Sequence, residues 1–325
     1  MNKIIRQAAM MLMACGGLAL TAAQAQPYPD KPIRLLHGFA PGGNADTIAR
    51  VLGTELSGKL GQPVIVESKP GAGGTLAGDA VAKSPPDGYT LLLATGGHAI
   101  GAALQDRLPY DAVKSFQPVS AITSFPFLIV AGAGSKYQTL GDLLSAARAK
   151  PGAINYGTAG MGTGQHMTGA LLAHSAGLSM THVPYRGESA SITALLGGEV
   201  DFIVAAPTAV VQHIKAGKLR ALATSGSTRW PGLPATATVA EQGVPKFEAR
   251  SWTALLAPAG TPQPVVERLN AQIRAVLGDG AVRAKLEEAT GGEARASTPD
   301  ELRLAIESDV QRWTRLVKDA GIQKE

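Results

Sequence analysis

Two α/β domains, each a mainly parallel sheet flanked by helices, are what this sequence predicts, and three observations lead there. Short apolar runs alternate with stretches of helical periodicity, the βαβα pattern of parallel sheets. The pattern forms two series, separated near Ser124 and again near Trp252 by β-like runs where the chain is expected to cross between domains. The length, 325 residues, is too great for one small core and suits two domains of ordinary size.

Residues 1–25 read as an export signal and not as part of the fold. Lys3 and Arg6 form a basic start, Ala8 to Ala23 an apolar core, and Ala23-Gln24-Ala25 a small-x-small cleavage site. The apolar run is short for a membrane span, and polar, proline-rich sequence follows it. Cleavage after Ala25 and a periplasmic location are therefore expected. The one cysteine, Cys15, lies in this leader, where Leu12-Met13-Ala14-Cys15 makes a partial lipobox, so a lipid anchor at Cys15 is the alternative. Without the leader the chain has no cysteine, hence no disulfide and no thiol nucleophile. Removing Lys3 and Arg6 lowers the formal charge from +5 to +3.

The first series opens on a buried strand, Ile33 to Leu36. Pro41-Gly42-Gly43 then forces a tight turn, and Asn44 is suited to cap a helix whose stripe is Ile48, Val51, Leu52 and Leu56. Pro63 to Glu67 reads as a strand, Pro70 to Gly74 as a loop, and Thr75 to Lys83 as a short helix. Pro85-Pro86-Asp87-Gly88 turns into a β-run, Tyr89 to Ala94, and Thr95-Gly96-Gly97-His98 opens another helix. Two β-runs, Pro118 to Ile122 and Phe127 to Val130, flank Ser124-Phe125-Pro126, where the chain is expected to cross between domains.

The second series begins with a helix, Leu140 to Ala149, stopped by Pro151-Gly152, and a strand, Ile154 to Tyr156. Gly157 to Gly164 carries four glycines in eight residues and leads into a helix, Gln165 to Ala176. Thr181 to Tyr185 (strand), Gly187 to Leu196 (helix), Val200 to Ala205 (strand), Pro207 to Ala216 and Leu219 to Thr224 complete it. Trp252 to Pro258 is the expected return crossing. Pro264 to Leu277 and Pro299 to Ala320 are amphipathic, and Thr298-Pro299-Asp300-Glu301 has the composition of a capping box. The domains are thus 26–124 with 248–325, and 125–247.

Two of these segments point to anion binding. Phe39 to Gly43 and Gly157 to Gly164 each join a strand to a helix N-terminus, where free backbone N–H groups and the helix dipole favour a negative charge. Thr158 and Thr163 add hydroxyls to the second. The loop Gly71 to Gly78 fails the dinucleotide and phosphate-loop patterns and reads as a structural turn. The six histidines are dispersed without metal-ligand spacing, so neither a metal nor another cofactor is expected; His98 and His166, each just past a glycine turn, stand out among structural histidines. Asp46 suits the dipole of its helix. Asp201 could accept from a ligand amine or hydroxyl or simply cap its strand. Phe39, Phe125, Phe127 and Tyr185 are the aromatic candidates for a ligand. No G-x-S-x-G, H-E-x-x-H or S-x-x-K constellation occurs, which argues against an enzyme, an exported hydrolase included. Scattered basic residues without interleaved aromatics exclude a nucleic-acid partner, and with no oligomer signal a monomer is expected.

In order along the chain, KPIRLLHGFAPGGNADTIAR, PGAGGTLAG, PDGYTLLLAT, LPYD, NYGTAGMGTGQH, HVPYRG, LLGGEVD, IKAGKLRALATS and APAGTP make a series. It resembles the Bug, or TctC-like, family, the extracytoplasmic solute-binding receptors of tripartite tricarboxylate transporters. The resemblance runs from about Tyr28 to Ile322. It implies a type II periplasmic-binding-protein-like fold, two domains closing on a cleft like a Venus flytrap. It also implies a small carboxylate gripped, with bridging waters, by Phe39-Ala40-Pro41-Gly42-Gly43 and by Thr158-Ala159-Gly160 through Thr163. Ala94 to His98, Thr95 included, and Asp201 would complete the pocket. His37-Gly38, Lys69, Gly101 and Arg186 depart from the family pattern. The implied partners are a membrane permease pair of a tripartite tricarboxylate transporter or, in a second reading, a sensor kinase that receives the closed form.

Overall fold

The computed structural model describes residues 28–324; the leader, its cleavage site and Cys15 lie outside them. From the N-terminus, β1 (Ile33–His37) leads through α1 (Asn44–Leu60), β2 (Val64–Ser68), α2 (Thr75–Ala82), β3 (Thr90–Thr95) and α3 (Gly97–Leu104) to a long β4 (Phe116–Pro126). The chain continues through β5 (Leu128–Gly132), α4 (Leu140–Ala149), β6 (Asn155–Thr158), α5 (Gly164–Ser175), β7 (Thr181–Pro184), α6 (Glu188–Leu196), β8 (Phe202–Ala205), α7 (Pro207–Lys215) and β9 (Leu219–Thr224). It returns through β10 (Arg250–Pro258), α8 (Gln263–Gly278), α9 (Gly280–Thr290), β11 (Glu293–Ala294) and α10 (Pro299–Asp319).

These strands form two sheets, ordered β11-β4-β10-β3-β1-β2 and β7-β6-β8-β5-β9. The β1–β2, β1–β3, β6–β7 and β6–β8 pairs are parallel, as βα units require. The strands on either side of the crossings are antiparallel: β10 to both β3 and β4, and β5 to both β8 and β9. Both sheets are therefore mixed. The reason is topological: a strand that leaves one sheet for the other, or returns from it, needs no helical crossover.

Alternation of side chains across each sheet fills two cores per sheet. In the first sheet Leu35, Leu91, Leu93 and Leu255 pack with Ile48 and Leu52 of α1 and Leu269 and Ile273 of α8. Their neighbours Leu36, Leu92 and Leu256 face the other way, onto Ala77 of α2 and Leu302 and Ile306 of α10. In the second sheet Ile129, Phe202 and Val204 pack beneath α4 and α5, while Leu128, Val130 and Ile203 face α6 and α7. A fifth cluster bridges the two halves: Met167 of α5 is fully buried against Ile100 and Leu104 of α3 and Trp313 and Leu316 of α10.

Three features differ from the sequence expectation. The segment Ser124-Phe125-Pro126 belongs to β4, which pairs with β10 along its whole length, so the crossing falls one residue later, at Phe127. The C-terminal part holds a further helix, α9, and the short β11; α9 escapes notice because glycines flank it and its apolar stripe is thin, Val282 and Leu286. Asn44 is not the cap of α1: Gly43 holds that position with extended backbone and no side-chain cap. The capping box at Thr298 and Glu301 forms as composition indicates.

Candidate functional site

The loop from β1 to α1 is shaped by its glycines and by one buried acid. Gly42 takes φ +79°, a conformation that glycine adopts without strain. Gly38 lies against the backbone of Gly74, so close that a Cβ would sit 2.2 Å from the Gly74 Cα. The glycine stretch Gly71 to Gly78 thus serves as the bed of this loop. Asp46 is nearly inaccessible and its carboxylate accepts from Arg50 Nε at 2.9 Å, from the Gly42 N–H at 2.9 Å and from His37 Nε2 at 3.1 Å. Those donors, the Arg50 guanidinium first, hold its carboxyl down to about 2. The Gly42 N–H is therefore spent within the loop, and Pro41 has none. Among the described residues, the N–H groups of Phe39 and Ala40 in the loop and of Asn44 and Ala45 in the first turn of α1 have no such partner and are free to meet a ligand.

The loop from β6 to α5 rests on two stacked histidines. The rings of His166 and His182 lie 4.0 Å apart at 15°, and His182 Nε2 meets Thr158 Oγ1 at 2.7 Å. Thr158 and Thr163 hydroxyls both donate to the Gly160 carbonyl, and Thr163 caps α5 by accepting from the His166 N–H. The Gly162 N–H points to His166 Nδ1 at 3.4 Å, an acceptor only while that imidazole is neutral. Burial lowers His166 to about 4; burial and then its neighbour's charge lower His182 to about 3. Buried His98, whose Nε2 donates to the Ala112 carbonyl, is lowered by burial as well. The unfolded chain protonates these rings near 6.5, so it binds more protons than the folded chain below that pH, and stability falls on acidification. We expect the melting temperature to drop between pH 6.5 and 5, above the carboxylate range, with a shallower slope in a His182→Asn variant. A flat profile in the parent protein would rule this out.

Between the two sheets lies a cavity of about 550 Å³. Of the residues singled out in the sequence, Phe39, Ala40, Gly43, Thr95, Phe127, Ala159 and Thr163 line it. Pro41, Gly42, Asp46, Thr158, Gly160, His166 and Tyr185 are not among its lining residues, and Pro41 and Gly42 face solvent. His98 is buried between Tyr110 and Phe116. Asp201 lies at the far end of its sheet: its carboxylate accepts from the Asn155 N–H at 2.8 Å where β6 begins, whereas the cavity lies where β6 ends. Phe125, an aromatic candidate from the sequence, lines it too, and lining residues that the sequence did not single out for a ligand include Asn44, Gln165, Glu188, Ser251 and Thr253. Asn44 and Glu188 could have been found by asking which residue follows each glycine turn into its helix; Ser251 and Thr253 lie far along the chain and carry no such signal. Gly164 is needed for shape, since a Cβ there would meet the Phe127 ring at 2.7 Å.

The electrostatics of this cavity are unusual in their source. The first residues of α1, α3, α5 and α6 line it, from both sheets. Each helix start presents N–H groups without intrahelical partners and the positive end of its dipole. No Lys, Arg or His side chain lines the cavity among the described residues. What the arrangement offers is a set of neutral donors from two sides of one apolar space, with the hydroxyls of Thr95 and Ser251 beside them; those of Thr163 and Thr253 are engaged by Gly160 and Thr123.

The sequence model of the tripartite tricarboxylate transporter family receptor matches residues 48–322. The chain belongs to this receptor family. BugT of Bordetella pertussis is 36% identical to it over 313 residues, 96% of this chain and 95% of BugT. Two solved proteins of similar shape hold acids. Rpa4515 of R. palustris with adipate matches with TM-score 0.82 and 33% identity over 92% of this chain and all of that one. MatC of Rhodopseudomonas palustris with bound malate matches with TM-score 0.76 and 32% identity over 89% of this chain and all of that one. Receptors of this family are periplasmic solute-binding proteins. Among the described residues no helix is long and apolar enough to cross a membrane.

Proposed function

We propose that this receptor captures a small organic carboxylate between two domains, one built on each sheet and joined at Phe127, and delivers it to the membrane permease of a tripartite tricarboxylate transporter. One observation carries the reading: helix N-termini from both sheets open onto one cavity. A carboxylate there can accept from Asn44 and Ala45 of α1 on one side and from Gly164 and Gln165 of α5 on the other. Such a ligand binds best when both sides reach it, and that difference in affinity is what draws the domains closed. The adipate and malate held by Rpa4515 and MatC support an acid as the ligand class. The grip falls on helix ends and not on Pro41, Gly42 or Asp201, a revision of the sites expected from sequence. Delivery to a permease follows from membership of the receptor family, and export through the leader from the basic start, apolar core and cleavage site of residues 1–25.

The test is a thermal-shift screen of protein unfolded and refolded to strip carried-over ligand, against mono-, di- and tricarboxylates. A ligand at about a hundred times its Kd adds roughly 2.7 kcal/mol of stability, a shift of several degrees. A shift with one class of acid, recovered chemically unchanged, is the expected result. No shift with any carboxylate overturns the binding reading, and a ligand recovered altered overturns the receptor role in favour of an enzyme.

A further inference from the structure

The one charged side chain that lines the cavity, among the described residues, is an acid. Glu188 is the first residue of α6, directly after Gly187. Its Oε1 accepts from the Ala206 N–H at 2.5 Å and lies 3.5 Å from Gln165 Nε2. Ala206 is the residue before α7, and Pro207 at the head of that helix has no N–H to offer. Glu188 thus ties the start of α6 to the start of α7. One oxygen is enough for that tie. The other, Oε2, makes no hydrogen bond among the described residues, and no cation pairs with the carboxylate.

A carboxylate in a space otherwise furnished with donors is the reverse of what a second ionised acid group on the ligand would need. Like charges brought together in a partly dry site exclude one another or force a proton onto one of them. An ammonium or hydroxyl is the group that an unpartnered carboxylate oxygen receives. Phe39, Phe125, Phe127 and Leu104, also in the lining, add apolar surface that suits a hydrocarbon chain.

Resting on the carboxylate reading above, we infer that Glu188 determines specificity. The cleft takes a monocarboxylate whose other end bears a hydrogen-bond donor, an ammonium or a hydroxyl, received by the free oxygen of Glu188, and it discriminates against fully ionised dicarboxylates. Burial raises the Glu188 carboxyl above the usual range, with the Ala206 N–H opposing, which is the response of an acid that lacks a cationic partner until the ligand supplies a donor.

The test is calorimetry on refolded protein and on Glu188→Gln with two matched sets: adipate, 6-aminohexanoate, 6-hydroxyhexanoate and hexanoate, and the corresponding succinate, 4-aminobutanoate, 4-hydroxybutanoate and butanoate. Gln keeps an oxygen for the Ala206 N–H, so ligand-free melting temperatures should agree. In the parent protein the amino or hydroxy acid of one set binds about tenfold or more tighter than the diacid. In Glu188→Gln that preference shrinks about tenfold or inverts, while the plain monocarboxylate is little changed. Which arm leads tells ammonium from hydroxyl. If binding persists and the ratio of diacid to donor-bearing acid stays within about threefold of the parent, Glu188 is only a tie between helices and the inference falls. If none of the eight acids binds either protein, the carboxylate reading itself falls and takes the inference with it.

Discussion

Gly43→Asp should abolish carboxylate binding in a titration while leaving the melting temperature of the free protein equal or slightly higher. Gly43 is the cap of α1, with φ −80° and ψ 174°, angles open to any residue, and a Cβ there would have only ordinary contact with the Ala40 carbonyl at 3.4 Å. Asp is among the best cap residues and improves on Gly by a few tenths of a kcal/mol. The same carboxylate that caps the helix would occupy its first-turn N–H groups. At about 4 Å from a ligand carboxylate, with an effective dielectric near 20, it would also repel by about 4 kcal/mol, roughly a thousandfold in Kd. Undiminished affinity at unchanged stability would remove α1 from the site. The analogous change at Gly160 is a poorer test, since its φ of +137° strains any side chain and confounds folding with binding.

Asp46→Ala should lower the free energy of urea unfolding by about 2–4 kcal/mol, read from the transition midpoint. Its carboxylate holds the Gly42 N–H, Arg50 and fully buried His37, whose Nδ1 already lacks a partner. Removal would strand His37 on both ring nitrogens. Arg50 is 60% exposed and can turn to water, which keeps the loss below that of a fully buried pair. Asp46→Asn retains an acceptor and should lose less. Because the folded carboxyl is depressed from 3.8 to about 2, its stabilisation is complete above pH 4 and disappears as pH falls from there through 2. A midpoint within 0.5 kcal/mol of the parent would show that the loop does not depend on this network.

Much of the architecture is legible in the sequence because it is written locally. Leu91-Leu92-Leu93 could only be a strand covered on both faces, and it lies beneath helices on both sides of the first sheet. The glycine turns announce strand ends and helix starts, and those before α1, α3 and α5 do open on the cavity. Residues fail to disclose themselves where register or distance decides. Asp201 shows why: a strand has two ends, and only the order and direction of its neighbours say which end meets the cleft. Ser251 and Thr253 reach the cavity because β10 runs antiparallel between β3 and β4, a pairing between residues more than a hundred positions apart. The His166–His182 stack joins a helix to a strand sixteen residues on, with nothing in the spacing to suggest it.

The absence of a lysine or arginine from the described cavity wall bears on how a ligand arrives and not only on how it stays. A fixed cation makes itself felt across a Debye length, about 8 Å at physiological ionic strength, and draws anions from solution at a rate that salt suppresses. Helix ends act over little more than a turn. A cleft furnished with them exerts most of its pull once the ligand is inside, so its grip should weaken with salt less than that of a cleft lined by lysine or arginine.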